Sequence, residues 1–154
     1  MDSDDPTRDE GVPMPSTLNP YLNFRGSARE ALEFYRSIFG GELSLNTFGE
    51  FHASEDPAEQ DLIMHGQLET ASGYVFMGSD TPTHMEYSKG VNDFSISISG
   101  EAVDEEELSG YFAGLSEGGE VQQPLAAAPW GASFGMLKDK FGISWLVNIA
   151  APAA

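Results

Sequence analysis

Residues 18–43 read LNPYLNFRGSAREALEFYRSIFGGEL, and this stretch holds in order a strand, a helix start, a helix and a helix stop. Alternation in LNPYLNF sends Leu22 and Phe24 to one face and Asn19, Tyr21 and Asn23 to the other, which predicts a half-buried strand. Ser27-Ala-Arg-Glu30 has capping-box spacing, in which the serine oxygen and the Glu30 carboxylate satisfy orphan amides of the first turn. Ala31, Phe34, Tyr35 and Ile38 then fall at i, i+3, i+4 and i+7, the spacing of one buried stripe. Gly40-Gly41 supply the positive φ that ends the helix.

The same construction returns half a chain later. Asp104-Glu-Glu-Glu107 is an Asp-based capping signal, Leu108, Tyr111, Phe112 and Leu115 make a second stripe, and Gly118-Gly119 close it. Three independent features, cap and stripe at an offset of 77 residues and the glycine pair within one residue of it, argue for an internal duplication. Each helix is preceded by one strand signal (LNPYLNF, DFSISIS) and followed by three: ELSLNTF, DLIMHGQLET and GYVFMGSD, then EVQQ, SFGMLKD and ISWLVNI. The repeating unit is therefore βαβββ. Two units, at about 17–82 and 90–150, predict a single α+β domain over 17–150, eight-stranded, with both helices on one face of the sheet and the other face open as a cavity. Residues 1–16, acidic and proline-bearing without apolar periodicity, are expected to form a flexible tail.

A chain of 154 residues suits one domain, and one of this size stabilises itself without disulfides or a structural metal. The absence of cysteine excludes thiolate catalysis and Cys-type zinc sites and fits a reducing cytoplasm. The opening residues lack the basic and apolar regions of a signal peptide, and no apolar run approaches the span of a bilayer. A net charge of −18 argues against nucleic acid and anionic membranes as partners, because both carry the same sign.

Three segments, PYLNFRGSAREALEFYRSIFGGEL, MHGQLETASGYVFMGSD and PWGASFGMLKDKFGISWLVN, resemble the PhnB-like branch of the vicinal-oxygen-chelate superfamily, which joins glyoxalases, bleomycin-resistance proteins and dihydroxybiphenyl dioxygenases. The resemblance runs from about Leu18 to Ile149 and implies the same duplicated βαβββ fold. It further implies a divalent metal held from the first and fourth strands of each module, acting as a Lewis acid on vicinal substrate oxygens. Carried onto this chain, those positions fall near Asn19 or Pro20, at about Met77, at Asp93 and at Leu146. Only Asp93 is an anionic ligand there, so the resemblance does not bring a metal site with it. Relatives are also commonly described as demethylubiquinone methyltransferases, yet this chain has no glycine-rich loop for S-adenosylmethionine.

Alternation selects the cavity-facing residues. In DFSISIS, Phe94, Ile96 and Ile98 are expected under the helices and Asp93, Ser95 and Ser97 in the cavity. In the third strand Leu62, Met64 and Leu68 are expected in the core and His65, Gln67 and Glu69 opposite; in the last, Ile143, Trp145, Val147 and Ile149 pack while Ser144, Leu146 and Asn148 look in. Candidate ligand-binding residues are therefore Tyr21, Asn23, His65, Gln67, Asp93 and Trp130, the last in a Pro-Trp-Gly turn where an aromatic either stacks on a ligand or covers the core edge. His65, an imidazole, is the one candidate acid or base; its other reading is a hydrogen-bonded structural histidine. His52 and His84 fall in polar loops. Gly131-Ala-Ser133-Phe-Gly135 matches the G-x-S-x-G elbow, but a strand rather than a helix follows and no histidine lies downstream.

The expectation is a cytoplasmic homodimer that holds a small organic molecule in the sheet cavity, with no cofactor. The alternative is an enzyme of lyase, isomerase or dioxygenase type using His65 and Asp93, with or without a divalent metal. A third reading is a subunit with no ligand that acts through its partner.

Overall fold

The structure, a computed structural model, describes residues 18–88, 94–129 and 131–152. The first half comprises β1 (Tyr21–Phe24), α1 (Ala28–Phe39), β2 (Glu42–Thr47), β3 (Ile63–Glu69) and β4 (Val75–Asp80). The second repeats it as β5 (Ile96–Gly100), α2 (Glu105–Ser116), β6 (Glu120–Ala127), β7 (Ser133–Lys138) and β8 (Ser144–Ile149). Strand orders are β1-β4-β3-β2 and β5-β8-β7-β6, with β1–β4 and β5–β8 parallel and the remaining pairs antiparallel. The expected α+β fold of two βαβββ units is present. Its eight strands form two four-stranded mixed sheets, not one sheet. The expected tail at residues 1–16 lies outside the described residues.

The helix starts differ from the expected caps. Ser27 precedes α1 but makes no side-chain cap; instead the Asp80 carboxylate, at the end of β4, accepts from the amides of Gly26 (2.8 Å) and Ala28 (3.0 Å) through Oδ1 and of Ile63 (2.9 Å) through Oδ2. A buried carboxylate with three N–H donors outcompetes a serine hydroxyl, because an unmet carboxylate in the interior is the costlier alternative. At α2 the capping box sits one turn early, around the 3₁₀ turn Ala102–Asp104, where Asp104 accepts from the Glu101 amide at 2.9 Å. Gly40, at φ +73°, ends α1 as expected.

Each helix lies on its sheet at a glycine. A Cβ on Gly66 of β3 would stand 2.5 Å from Leu32 Cδ1, and one on Gly135 of β7 2.8 Å from Phe112 Cε1, so a side chain at either position would displace the helix side chain packed on it. The stripe of α2 is as expected, with Leu108, Tyr111, Phe112 and Leu115 buried. That of α1 is rotated: Ala28, Ala31, Leu32, Tyr35 and Phe39 are buried, and Phe34 and Ile38 only partly so. The reason is a second neighbour. Trp145 of β8 meets Tyr35 and Phe39 with ring centroids 5.7 and 5.9 Å away, drawing the face around Tyr35 and Phe39 inward. Asp139 fastens this junction of the two halves, accepting from Tyr35 Oη (2.6 Å), Trp145 Nε1 (2.9 Å) and the amides of Phe141 (2.8 Å) and Ile143 (3.0 Å).

Two strands break the expected alternation. In β3 the core residues are Ile63, Gly66 and Leu68, not Leu62 and Met64, because a register shift beside Asn46/Thr47 leaves Met64 without a partner and reverses the faces beyond it. Phe94, expected under a helix, precedes β5 and is 65% exposed. The strand expected at EVQQ extends to Ala127. No helix among the described residues is long and apolar enough to cross a membrane.

Candidate functional site

On the first sheet the face turned away from α1 is built from rows of cross-strand partners. One row runs Tyr21, Met77, Gln67, Ser44, and Glu69 stands opposite Glu42 in a neighbouring row. His65 lies opposite Asn46, with Asn23 opposite Ser79 toward the β1 edge of the same sheet. Of the sequence-derived candidates, Tyr21, Asn23, His65 and Gln67 therefore share this open face. Asp93 and Trp130 lie outside the described residues.

The geometry is that of a hydrogen-bonding surface. Tyr21 Oη stands 3.4 Å from His65 Nδ1, at the long end of a hydrogen bond, with the rings 5.9 Å apart. Gln67 Nε2 donates to Glu69 Oε2 at 2.7 Å. Glu42, Ser44, His65, Gln67 and Glu69 line a hollow of about 460 Å³. Among the described residues the partner given to His65 is thus a phenol rather than the carboxylate that orients a catalytic imidazole. His52 and His84 are exposed in loops away from it.

Two of the metal positions implied by the resemblance, Met77 and Leu146, do not fit a metal. Met77 sits on the open face between Tyr21 and Gln67, and Leu146 takes the matching place on the second sheet between Ser97 and Met136. A thioether and an alkyl chain supply no donor for a hard cation or zinc. Among the described residues no three His, Asp or Glu side chains come together as a metal-holding group. A methyl-donor cofactor fares no better. The Gly26 and Ala28 amides at the α1 start are taken by Asp80, and acids crowd the α2 start, an arrangement that disfavours the carboxylate of an amino-acid cofactor at either helix N-terminus.

A second hollow, not foreseen from the sequence, opens between the halves. It has about 630 Å³ and is lined from Leu18–Pro20, which lead into β1, from Gly73–Phe76, and from Ile96–Ser99 with Trp145. The signal available for it was the pair of small residues Ser97 and Ser99 on an edge strand.

The family model described as 3-demethylubiquinone-9 3-methyltransferase matches residues 16–148. A solved structure of protein PA1353 from Pseudomonas aeruginosa is 38% identical, covers 89% of this chain and 99% of its own, and superposes with a TM-score of 0.75. The PhnB protein from Bacillus cereus is 27% identical, covering 88% and 100%, with a TM-score of 0.66. A glyoxylase/bleomycin resistance protein/dioxygenase domain from Frankia shares the fold at 12% identity, covering 92% and 96%, with a TM-score of 0.57.

Proposed function

The chain belongs to the 3-demethylubiquinone-9 3-methyltransferase family, a PhnB-like branch of the glyoxalase and bleomycin-resistance superfamily, and within it we propose a protein that binds a small organic molecule without metal chemistry. One observation carries this reading. The open face of the first sheet carries Tyr21 beside His65, and His65 and Gln67 line a hollow there, while Met77 and Leu146 stand where metal ligands would be needed. Hydrogen-bond donors and acceptors on a rigid sheet are suited to binding and orienting a ligand, and the described partner of the His65 ring is the Tyr21 hydroxyl.

The ligand hydrogen-bonds to His65 and Tyr21, with Asn23, Asp93 and Trp130 completing the site. A second copy of the chain covers the open face in a symmetric homodimer, and light scattering at micromolar concentration then gives twice the 16.6 kDa chain mass. The binding reading is tested by extracting the molecule that copurifies and rebinding it by equilibrium dialysis. His65→Ala and Trp130→Ala are expected to keep the wild-type melting temperature and to weaken binding about tenfold to a hundredfold, the worth of one hydrogen bond to a charged group. Unchanged affinity in both folded variants would make these residues structural.

A further inference from the structure

The cleft between the halves has an open strand edge on one side and the start of the described chain on the other. β5 is an edge strand: β8 pairs with one side of it, and among the described residues no strand pairs with the other. Ile96 to Ser99, four consecutive residues, border the 630 Å³ space, as a strand does along its free edge. On the β8 side the Gly100 carbonyl accepts from the Ala150 amide at 2.8 Å. Main-chain groups of successive residues in a strand point to opposite sides, so Ile96, Ile98 and Gly100 face β8, and the amides and carbonyls of Ser97 and Ser99 face the cleft. None of the residues lining the space is charged. Across it stand Leu18, Asn19 and Pro20, with Leu18 99% exposed, so the chain that precedes Leu18 begins at the cleft itself.

We infer that residues 11–17 of the same chain, GVPMPST, dock in this cleft as an added strand on the free edge of β5. Reach selects this occupant first: the segment is joined to Leu18, and seven extended residues span about 23 Å, more than the five-residue β5 needs. Charge selects it next. The acids Asp2, Asp4, Asp5, Asp9 and Glu10 all come before it and the segment itself carries none, whereas a charged segment would lose its hydration in an uncharged cleft with no counter-charge to replace it. The prolines select its orientation. Pro13 and Pro15 have no amide to donate, while Val12, Met14 and Ser16 between and beside them do, so only one side of the segment can complete a ladder with Ser97 and Ser99. The prolines then face outward, where they stop a further strand from adding to the new edge. Val12 and Met14 fall on one face, apolar like the half-buried Tyr74, Val75 and Ile96 that line the space. The matched family region starts at residue 16, so most of this cover is chain that the shared fold does not include.

The test is amide hydrogen exchange on the full chain, followed residue by residue by NMR. The amides of Val12, Met14, Ser97 and Ser99 are expected to be protected together. Met14→Asp, which brings a charge into the uncharged cleft, is expected to speed exchange at Ser97 and Ser99 by about tenfold or more, while the β8-facing amides of Ile98 and Gly100 keep their wild-type rates. That contrast separates release of the segment from loss of the fold. Met14→Pro, which removes the donor without adding charge, is expected to act in the same way. Protection should be unchanged on dilution, since segment and cleft belong to one chain. Fast exchange at Ser97 and Ser99 in the wild type would overturn the inference, as would protection there that neither Met14 variant disturbs. Protection lost on dilution would overturn it too, because the edge would then be covered by a second copy.

Discussion

Asp139 is 3% exposed and accepts four hydrogen bonds, two from amides of its own turn and two from side chains of opposite halves of the molecule. Burial, with the neighbouring Asp139 carboxylate adding to it, pushes the Tyr35 phenol far above its ordinary value, so Tyr35 remains a donor throughout the working pH range. Asp139→Ala would leave Tyr35 Oη, Trp145 Nε1 and two amides without an acceptor. We expect it to lower unfolding free energy by about 3 kcal/mol or more in urea titrations. Asp139→Asn, which keeps one carbonyl oxygen, costs less, and Trp145→Ala costs about 3 to 5 kcal/mol through the void it leaves. Losses below about 1 kcal/mol for both alanine variants would show that the halves are joined elsewhere. At this scale Trp145 was legible in the sequence, since alternation in ISWLVNI puts it inside. The roles of Asp80 and Asp139 were not, because an acid at a strand end looks like any turn residue until its donors from distant segments are in place.

The connection from β2 to β3 is the long one of the first half, and Glu59 holds it to the segment after β4. Its carboxylate accepts from the Thr83 amide (2.7 Å), Thr83 Oγ1 (2.8 Å) and Ser54 Oγ (2.7 Å). The Thr83 amide foremost, then the two hydroxyls, lower its pKa from 4.5 to about 2. A depressed carboxylate contributes stability that is complete above its unfolded value and is lost as pH falls through its folded one. The melting-temperature gap between wild type and Glu59→Gln is therefore expected to be full above pH 4.5 and to shrink from there toward pH 2. A gap constant across that window would mean that the segment is held by other contacts. Elements were the most legible level of the fold, since each strand and helix has its period in the sequence. The misassigned faces have local causes. Met64 is a bulge residue, invisible until its partner strand is known, and α1 is covered by Trp145 of the other half as well as by its own sheet.

As a whole the molecule carries 25 acids against 7 bases. Compaction brings like charges together, so screening by salt relieves the folded state more than the expanded one. Melting temperature is expected to rise from tens of millimolar salt toward molar, followed by circular dichroism; a flat or falling curve would mean that the acids are compensated locally. The open-face site was partly legible, because strand alternation brought Tyr21, Asn23, His65 and Gln67 to one face. The cleft was not, because it lies between halves whose mutual placement no local pattern encodes. The central claim, a ligand held without a metal, is tested most directly by native mass spectrometry of freshly purified protein. The account predicts an organic adduct on the chain and no divalent ion near one equivalent. A stoichiometric metal ion in place of that adduct would contradict it.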